Sequence, residues 1–275
     1  MPFASSLPVD SNATPALARV IVLLCTYNEA ENLPALFAQL AQHLPLADIL
    51  VVDDNSPDGT AALVQAQASF RKQAWDTAVG GGKVVQHKSA AIYLLQRAGK
   101  YGLGTATRAG LQWCLEHRYD FIINLDADLS HDPVYAPRLL SACTVGDNVA
   151  DVAVGSRYVS GGGGMRGLAF HRRWISRLLN VYATRLLGLP VKDCSGSYRC
   201  YRATSLKKLD FDRLVCPGYG FLEEILVALH RSGARLKEIP IEFLSRSQGQ
   251  SKLGLSDAWG AMAVIHRLAI RRNSA

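Results

Sequence analysis

The sequence predicts a single α/β domain in which a mostly parallel central sheet is flanked by helices. Two observations support this fold class: short apolar runs alternate with segments of helical periodicity, and acidic clusters directly follow two of those runs. Such alternation is typical of strand–helix–strand units, whose ligands bind at the carboxyl ends of the strands. A chain of 275 residues is long enough to bury one large core.

Four apolar runs in the first half predict strands that are buried on both faces, because they lack polar alternation. These strands are 20–25, 49–52, 91–95 and 121–125. The first is followed by Asn28 and Glu31 at capping-box spacing and by Pro34, which suits the first turn of a helix. Apolar residues at helical spacing continue this helix to Leu44.

Two further helices are predicted between the remaining strands. Residues 61–70 carry a short helical pattern, and residues 103–117 carry a longer one with apolar residues available for packing. Residues 71–89 contain basic residues, three consecutive glycines and no apolar period. That composition predicts a flexible insertion.

The second half is less regular. We predict a strand at 152–155, a glycine loop at 161–164, an arginine-rich helix at 170–187, a buried helix at 221–230 and a strand at 236–243. Pro240 lies within the last strand and indicates a sheet edge, since proline cannot donate to a ladder.

The chain ends and the cysteines indicate a cytoplasmic protein. Residues 1–18 have neither the basic start nor the apolar core of a signal peptide and predict a loose tail. No run of 18 apolar residues occurs, so no segment is expected to span a bilayer. Six cysteines show no zinc-binding spacing and several fall inside apolar segments, which predicts reduced core residues.

Charge is unevenly distributed along the chain. Residues 1–156 hold 10 Lys and Arg against 15 Asp and Glu, whereas residues 157–275 hold 20 against 8. An acidic half suits a cation-assisted site, and a basic half suits phosphate groups or an anionic membrane face. No nucleic-acid motif accompanies the basic residues, so we expect no nucleic-acid partner.

The segment Asp126–His131 (DADLSH) is the strongest candidate site. It follows the apolar strand 121–125, and residues two apart on an extended chain point the same way. Asp126 and Asp128 can therefore share one hard cation. The alternative is an ordinary surface turn rich in Asp and Ser.

Seven segments together resemble family 2 glycosyltransferases, and most closely the dolichol-phosphate (polyprenol-phosphate) mannose synthases. In order they are TYNE at 26–29, VVDDNSPDGT at 51–60, GLGTA at 102–106, DADLSH at 126–131, GSRY at 155–158, DCSGSYR at 193–199 and SRSQGQSKLG at 245–254. The resemblance implies a GT-A glycosyltransferase fold over residues 19–256. It also implies a GDP-mannose donor, a divalent cation (Mg or Mn) and a polyprenyl or dolichyl phosphate acceptor.

By this resemblance, the donor nucleotide would contact four residues near the first two strands, and a downstream basic loop would close over its phosphates. The four are Thr26, Tyr27, Glu29 and Asp53, and the loop residues are Arg246, Ser251 and Lys252. Asp126 and Asp128, with Ser130 as a weaker third ligand, would hold the cation beneath the diphosphate. Asp54 could instead cap the turn that follows it.

The acceptor phosphate would contact Arg157, Arg172 and Ser176 by the same resemblance. Residues 172 and 176 are four apart and share a face of the predicted helix. A plain basic surface helix is the alternative. Asp128, Arg157 and Glu224 are the candidate catalytic residues, and no general base is assigned because the acceptor phosphate is largely ionised at neutral pH.

The sequence departs from the family pattern at three positions. Leu222 stands where the family usually has Gln, Cys25 where it usually has Pro, and Cys194 where Thr is common. These departures leave the transferred sugar open between mannose and glucose, so transfer from UDP-glucose is the alternative donor reaction.

Recruitment to the lipid acceptor has three explanations. Residues 257–275 place Trp259, Met262, Ile265 and Leu268 near one helical face, with basic residues at the end, which suits an interfacial helix. A terminal helix packed on the core and a separate membrane subunit are the alternatives. In each case we expect a cytoplasmic protein associated peripherally with a membrane.

Two other functional classes remain open from the sequence. The strand and its two aspartates also resemble the nucleophile strand of haloacid-dehalogenase-type phosphatases, although that motif normally opens its domain. A non-catalytic protein that binds a nucleotide sugar is the other class. It would bind the donor with a cation and form no lipid-linked product.

Overall fold

A computed structural model of the protein describes residues 18–67, 90–161, 164–167, 170–244 and 264–270. The strands are β1 (Val20–Thr26), β2 (Asp48–Asp53), β3 (Ile92–Gln96), β4 (Phe121–Asp126), β5 (Val152–Ser156), β6 (Gly164–Arg166), β7 (Arg199–Arg202), β8 (Leu236–Pro240) and β9 (Glu242–Leu244). The helices are α1 (Leu33–His43), α2 (60–67), α3 (Leu103–Glu116), α4 (Ala136–Thr144), α5 (Phe170–Leu187), α6 (Ala203–Leu206), α7 (Phe221–Arg231) and α8 (264–270). Short 3₁₀ turns occupy Pro133–Tyr135 and Phe211–Arg213.

Seven strands form one central sheet in the order β3-β2-β1-β4-β7-β5-β8. All neighbours run parallel except β7, which is antiparallel to both β4 and β5. The predicted mostly parallel sheet and α/β class are therefore confirmed. β1, β2 and β4 end at the same edge of the sheet, where Asp53 and Asp126 lie.

Helices cover both faces of the sheet. Alternate residues of β1 show this: Ile21 and Leu23 belong to the apolar cluster that includes residues of α3 and α7, whereas Val22 and Leu24 belong to the cluster that includes residues of α1 and α4. All four are fully buried. Burial on both faces explains why the strand sequences are continuously apolar.

The predicted capping box before α1 is wrong. Asn28 adopts a left-handed conformation with φ of 60°, and its backbone N–H donates to the Ser56 hydroxyl at 3.0 Å. The residue at the N-cap position is Asn32, whose side chain makes no capping hydrogen bond. Asn28 thus tightens the turn after β1 and ties it to the turn after β2.

The strand predicted at 236–243 divides at Pro240. Up to Pro240 it forms β8, the outermost strand of the central sheet, so the expected edge position is confirmed. The chain then continues as β9, which pairs in parallel with β6 in a separate two-stranded sheet. The glycine loop predicted at 161–164 is corrected at Gly164, because that residue opens β6.

Several expectations lie outside the described residues. They concern the tail before Ala18, the insertion at 71–89, the end of the helix predicted at 61–70, and residues 257–263 and 271–275 of the C-terminal segment. Within the part of the chain that the structure describes, no helix is long and apolar enough to cross a membrane.

The described part of the C-terminal helix packs inward. Ile265 and Leu268, two members of the predicted apolar face, are buried in the main core. The backbone carbonyl of Leu268 accepts a hydrogen bond from Arg231 at 3.1 Å. We therefore do not assign a membrane contact to these residues.

Candidate functional site

Asp53 closes the turn that follows β2. Thr26 lies opposite it in the β1–β2 register, and the Thr26 hydroxyl donates to Asp53 Oδ1 at 2.9 Å. Ser56 donates its hydroxyl to the same oxygen at 2.5 Å and its backbone N–H to Oδ2 at 2.9 Å. The Asp53 carboxylate is fully buried, so it is engaged with the protein's own groups. Its contact with a donor nucleotide remains a prediction.

Asp54 fixes the start of α3 instead of capping the next turn, so that expectation is wrong. The backbone N–H groups of Tyr101 and Gly102 donate to Asp54 Oδ2 at 3.0 and 3.1 Å. Arg97 donates to Oδ1 at 2.7 Å. These bonds hold the N-terminus of α3 at the same sheet edge as Asp53.

Tyr27 directly follows β1 at this edge of the sheet. The Lys100 ammonium lies 4.0 Å from the centre of the Tyr27 ring, which is cation–π geometry. The Glu29 carboxylate accepts a hydrogen bond from the Asn32 side chain at 2.7 Å. The Glu29 backbone N–H donates to the Thr60 hydroxyl at 3.1 Å. A half-buried aromatic ring suits a stacked base, and an exposed ammonium suits a phosphate.

The three predicted metal ligands lie at the end of β4, where Asp126 is the last strand residue, and in the turn that follows it. Asp128 is buried, and its Oδ1 accepts the Ser130 backbone N–H at 3.0 Å and the Ser130 hydroxyl at 2.5 Å. The Asp126 side chain is 31% exposed, and its Oδ1 accepts the Ser197 hydroxyl at 2.7 Å. Leu129 has a left-handed φ of 62°, which costs a non-glycine residue about 1 kcal/mol and tightens the turn.

His131 supports this turn from below. Its Nδ1 accepts the Asp126 backbone N–H at 3.2 Å, and its ring packs against Tyr198 and Phe243 at centroid distances of 5.1 and 5.3 Å. Burial lowers the pKa of His131, although the nearby carboxylates oppose the shift. Because Nδ1 accepts the Asp126 backbone N–H, the ring proton of the neutral imidazole lies on Nε2.

The donor set of the turn fits a hard divalent cation, since it consists of two carboxylates and a hydroxyl. Among the described residues, no group of three or more His, Cys, Asp or Glu could hold a metal. A cation at Asp126 and Asp128 would accordingly complete its coordination with phosphate oxygens and water.

Arg157 is clamped by Asp193, a partner that the sequence analysis did not identify. Its Nε and Nη2 each donate to one carboxylate oxygen at 2.7 Å, and Nη2 also donates to the Ser195 hydroxyl at 2.8 Å. Burial alone would raise the pKa of Asp193, but the guanidinium and its hydrogen bonds outweigh burial and hold that pKa below its usual value. Arg157 therefore presents a charge of fixed orientation, partly neutralised by Asp193.

The other predicted acceptor residues lie on α5. The Ser176 hydroxyl is 2.8 Å from the hydroxyl of Tyr158, the residue after Arg157. The structure thus brings Ser176 against the segment that carries Arg157. Arg172 lies in the first turns of α5, and its side chain falls outside the described residues.

The turn at 193–199 connects Arg157, Asp126 and the start of α7. Asp193 and Ser195 accept hydrogen bonds from Arg157. Ser197 donates a hydrogen bond to Asp126. The fully buried Arg199 donates to the Leu222 carbonyl, at the start of α7, at 2.7 Å. In the sequence, this stretch was recognised only as a family motif, although its density of polar residues was an available signal.

Glu224 and Glu223 differ in their surroundings. Glu224 accepts the Cys216 backbone N–H at 2.9 Å and so braces the loop that packs on α3. Within the described residues, Oε2 of the buried Glu223 has no hydrogen-bond partner. Burial raises the pKa of Glu223 to about 7, although Arg199 and Arg157 oppose the shift. From the sequence, Glu224 was selected as a candidate, and its neighbour Glu223 was not.

We expect Glu223→Gln to stabilise the protein at pH 8 and to have a much smaller effect at pH 5. As pH rises from the ordinary pKa of 4.5 to about 7, the unfolded chain loses this proton and the folded chain keeps it, so the free energy of unfolding falls. Above pH 7 that penalty is complete, at about 3 kcal/mol. Urea unfolding of both proteins at the two pH values measures the difference.

The control is Glu116→Gln, the same change at an exposed glutamate. It should alter the free energy of unfolding by less than about 0.5 kcal/mol at either pH. Equal stabilisation by Glu223→Gln at pH 5 and pH 8 would contradict the ionisation of Glu223 in this window.

The end of β9 contacts the turn at 126–131 directly. The Leu244 backbone N–H donates to the Ser130 carbonyl at 3.0 Å, and Phe243 forms a bridge with His131. The three residues of the predicted phosphate-closing loop follow shortly afterwards, and they lie outside the described residues: Arg246, Ser251 and Lys252.

Comparison with known proteins identifies a family and several relatives. Residues 21–210 match the model of glycosyl transferase family 2. The chain is 37% identical over 235 residues to the undecaprenyl-phosphate mannosyltransferase of Micrococcus luteus, covering 86% of this chain and 87% of that protein. It is 36% identical over 253 residues to the polyprenol monophosphomannose synthase of Mycolicibacterium smegmatis, covering 92% and 88%.

Solved structures show the same fold at low identity. Glucosyl-3-phosphoglycerate synthase from Mycobacterium tuberculosis, in complex with Mn²⁺, UDP and glucosyl-3-phosphoglycerate, superimposes with a TM-score of 0.63 at 16% identity, over 92% of this chain and 81% of that one. The complex with Mg²⁺ and UDP gives a TM-score of 0.60 at 17% identity, over 92% and 80%. The predicted GT-A fold is confirmed by this similarity.

Proposed function

The chain belongs to glycosyltransferase family 2, and on that premise we propose that it transfers mannose from GDP-mannose to a polyprenyl phosphate with inversion at the anomeric carbon. The observation that carries this proposal is the turn at 193–199, which joins the carboxylate turn to Arg157 in one hydrogen-bonded unit. The substrate class is supported by the names of the two relatives, both of which describe mannosyl transfer to a polyprenyl phosphate or its product.

GDP-mannose is the donor that we favour, and UDP-glucose remains the alternative. The half-buried Tyr27 and exposed Lys100 offer a stacking face and a cation at the sheet edge. Neither contact distinguishes guanine from uracil. The preference for GDP-mannose therefore rests on the mannosyltransferase relatives.

The proposed reaction is a single in-line displacement. An oxygen of the lipid phosphate forms a bond to the anomeric carbon as the bond from that carbon to the GDP phosphate breaks. A divalent cation would stabilise the negative charge that develops on the departing diphosphate. Asp126 and Asp128 would hold that cation, with Ser130 alongside them. The attacking phosphate is already largely ionised at neutral pH, so no side chain needs to remove a proton.

Arg157 would orient the acceptor phosphate. Asp193 fixes the plane of the Arg157 guanidinium through two hydrogen bonds. The guanidinium would therefore keep its position and determine where the acceptor phosphate binds. Ser176 and Arg172 on α5 would complete the acceptor site. Glu224 would act indirectly, through the loop that it braces against the start of α3.

We propose that α5 brings the protein to the surface of an anionic membrane. Six large apolar side chains of this helix are exposed: Phe170, Trp174, Ile175, Leu178, Leu179 and Tyr182. Exposed Arg173 and Arg177 lie among them. An apolar stripe with Trp and Phe beside arginines is typical of helices that lie in the interface of anionic bilayers. This face adjoins Ser176, where the lipid phosphate would enter.

The six unpaired cysteines support a reducing compartment, and thus the cytoplasmic face of that membrane. A separate membrane subunit is not needed for this arrangement, although it remains an alternative. Family membership removes the phosphatase alternative, because haloacid-dehalogenase-type enzymes belong to a different fold.

Leu178→Asp should reduce binding to phosphatidylglycerol-containing vesicles by about tenfold, because it replaces apolar contact with a charge that anionic lipid repels. Cosedimentation with vesicles measures this. Leu46→Asp is the matched control, since Leu46 is 64% exposed and Leu178 is 62% exposed. Equal loss in both variants would refute the membrane contact of α5.

One assay tests the proposed function. The protein is incubated with labelled GDP-mannose or labelled UDP-glucose, polyprenyl phosphate and Mg²⁺ or Mn²⁺, and label is measured in the organic phase. We expect label from GDP-mannose and its loss with EDTA. Label from UDP-glucose alone would refute mannose as the sugar. Donor binding without any lipid-linked product would identify a binding protein instead.

A further inference from the structure

We propose that Ser197 is a positioning residue that orients the Asp126 carboxylate for cation binding; the inference rests on the proposed cation-dependent transfer. Ser197 lies 71 residues after Asp126 in the chain, yet its hydroxyl donates to Asp126 Oδ1 at 2.7 Å. Ser197 is buried, whereas the Asp126 side chain is partly exposed. A buried donor therefore holds an accessible carboxylate.

The Ser197 backbone is itself held by the strand that carries Asp126. The Ser197 backbone carbonyl accepts a hydrogen bond from the buried Asn124 side chain at 2.8 Å. Asn124 precedes Asp126 by two residues in β4, so both side chains point to the same face. The strand thus places both the carboxylate and the group that orients it.

This arrangement leaves the second carboxylate oxygen of Asp126, Oδ2, available to a cation. The other flank of Asp126 faces His131, whose Nδ1 lies 3.7 Å from Asp126 Oδ2. That nitrogen already accepts the Asp126 backbone N–H, so it presents no proton to Oδ2. Ser197 takes one oxygen by a hydrogen bond, and the geometry leaves the lone pairs of Oδ2 suited to a cation.

Asp128 is oriented by a different device. Its Oδ1 accepts both the backbone N–H and the hydroxyl of Ser130, two residues away in the same turn. Loss of the Ser197 hydroxyl would therefore release Asp126 alone. Hydrogen-bonding partners of metal ligands typically change metal affinity by about 10- to 100-fold when they are removed.

The test is a Mn²⁺ titration in the presence of GDP, with free Mn²⁺ measured by its electron paramagnetic resonance signal. Ser197→Ala should weaken Mn²⁺ binding by about tenfold. Ser197→Thr, which keeps the hydroxyl, should restore binding to within about threefold of the starting protein. Ser195→Ala is the matched control: the same change in the same turn, at a hydroxyl that contacts Arg157 instead, should leave Mn²⁺ affinity unchanged.

Kinetics separate positioning from general damage. In Ser197→Ala the Mn²⁺ concentration for half-maximal transfer should rise about tenfold, while the rate at saturating Mn²⁺ stays within about twofold. A rate that remains low at saturating Mn²⁺ would overturn the positioning role. If Ser197→Ala does not fold, as judged by circular dichroism, Ser197→Cys replaces it with the same expected loss, because a thiol is a weaker donor.

Asp126→Asn distinguishes failure of this inference from failure of the proposed metal site. Unchanged Mn²⁺ affinity in Asp126→Asn would show that the cation does not bind at Asp126, and both proposals would fall. Weakened binding in Asp126→Asn with unchanged binding in Ser197→Ala would overturn only the role of Ser197.

Discussion

Asp128→Asn is expected to lower the rate of mannosyl transfer by about 100- to 1,000-fold, the range for loss of one preorganised charge-stabilising group. The carboxylate is buried in the turn after β4 and oriented by Ser130, so the substitution preserves shape and removes the negative charge that a cation needs. The organic-phase label assay measures the rate. A thermal unfolding curve should stay close to that of the starting protein.

Asp132→Asn is the matched control for this prediction. Asp132 lies four residues away in the same loop, and its Oδ1 accepts the Val134 backbone N–H at 2.9 Å at the start of a 3₁₀ turn. Asparagine caps such turns as well as aspartate does. The control should therefore keep its rate within about twofold. Full activity in Asp128→Asn would remove this residue from the metal site.

Asp193→Asn is expected to lower the free energy of unfolding by about 3–5 kcal/mol at pH 7, because it leaves the Arg157 guanidinium, whose side chain is only 13% exposed, without its counter-charge. The pKa of Asp193 lies below its usual value, so its stabilising charge is present above that value and is lost as pH falls through the folded pKa. The difference between the two proteins should accordingly shrink in strong acid. Urea unfolding at pH 7 and in the acid range measures it.

Asp210→Asn provides the comparison with a surface ion pair. Asp210 contacts Arg213 at 3.1 Å with both side chains largely exposed, and water screens such pairs. This variant should lose less than about 0.5 kcal/mol. A loss of under 1 kcal/mol in Asp193→Asn would mean that water reaches Arg157 and replaces the carboxylate.

The regular part of the fold could be predicted from sequence because its signals are local. Continuous apolar runs gave β1, β2 and β4, and helical spacing gave α1, α3 and α5 to within a few residues. β7 was missed because its sequence is Arg-Cys-Tyr-Arg, which resembles a polar connection. Its first residue is fully buried and bonds to the backbone carbonyls of Cys194 and Leu222, a tertiary arrangement that no local pattern reveals.

The residues of the candidate site also fall into two groups: those recognised from local sequence and those joined by contacts between distant parts of the chain. Asp126 and Asp128 were predicted from a strand end and two-residue spacing, and Ser130 from the family resemblance, because all of these signals lie within one short segment. The pairing of Arg157 with Asp193 joins residues 36 apart, and the contact of Ser197 with Asp126 joins residues 71 apart. The wrong capping box had a related cause: Asn28 matched a local motif, but its backbone turns left-handed to reach Ser56.

The turn at 193–199 has a consequence for protein engineering. Residues 152–202 contain both partners of the Arg157–Asp193 pair and both ends of the hydrogen bond that the Cys194 backbone N–H donates to Asn180 Oδ1 at 3.1 Å. Two residues outside this segment, Asn124 and Asp126, form side-chain hydrogen bonds with it, and both of these bonds are to Ser197. A chimaera that exchanges this segment as one piece would keep the hydrogen bonds among the proposed acceptor residues of the incoming relative intact. Grafting individual residues would break these pairs.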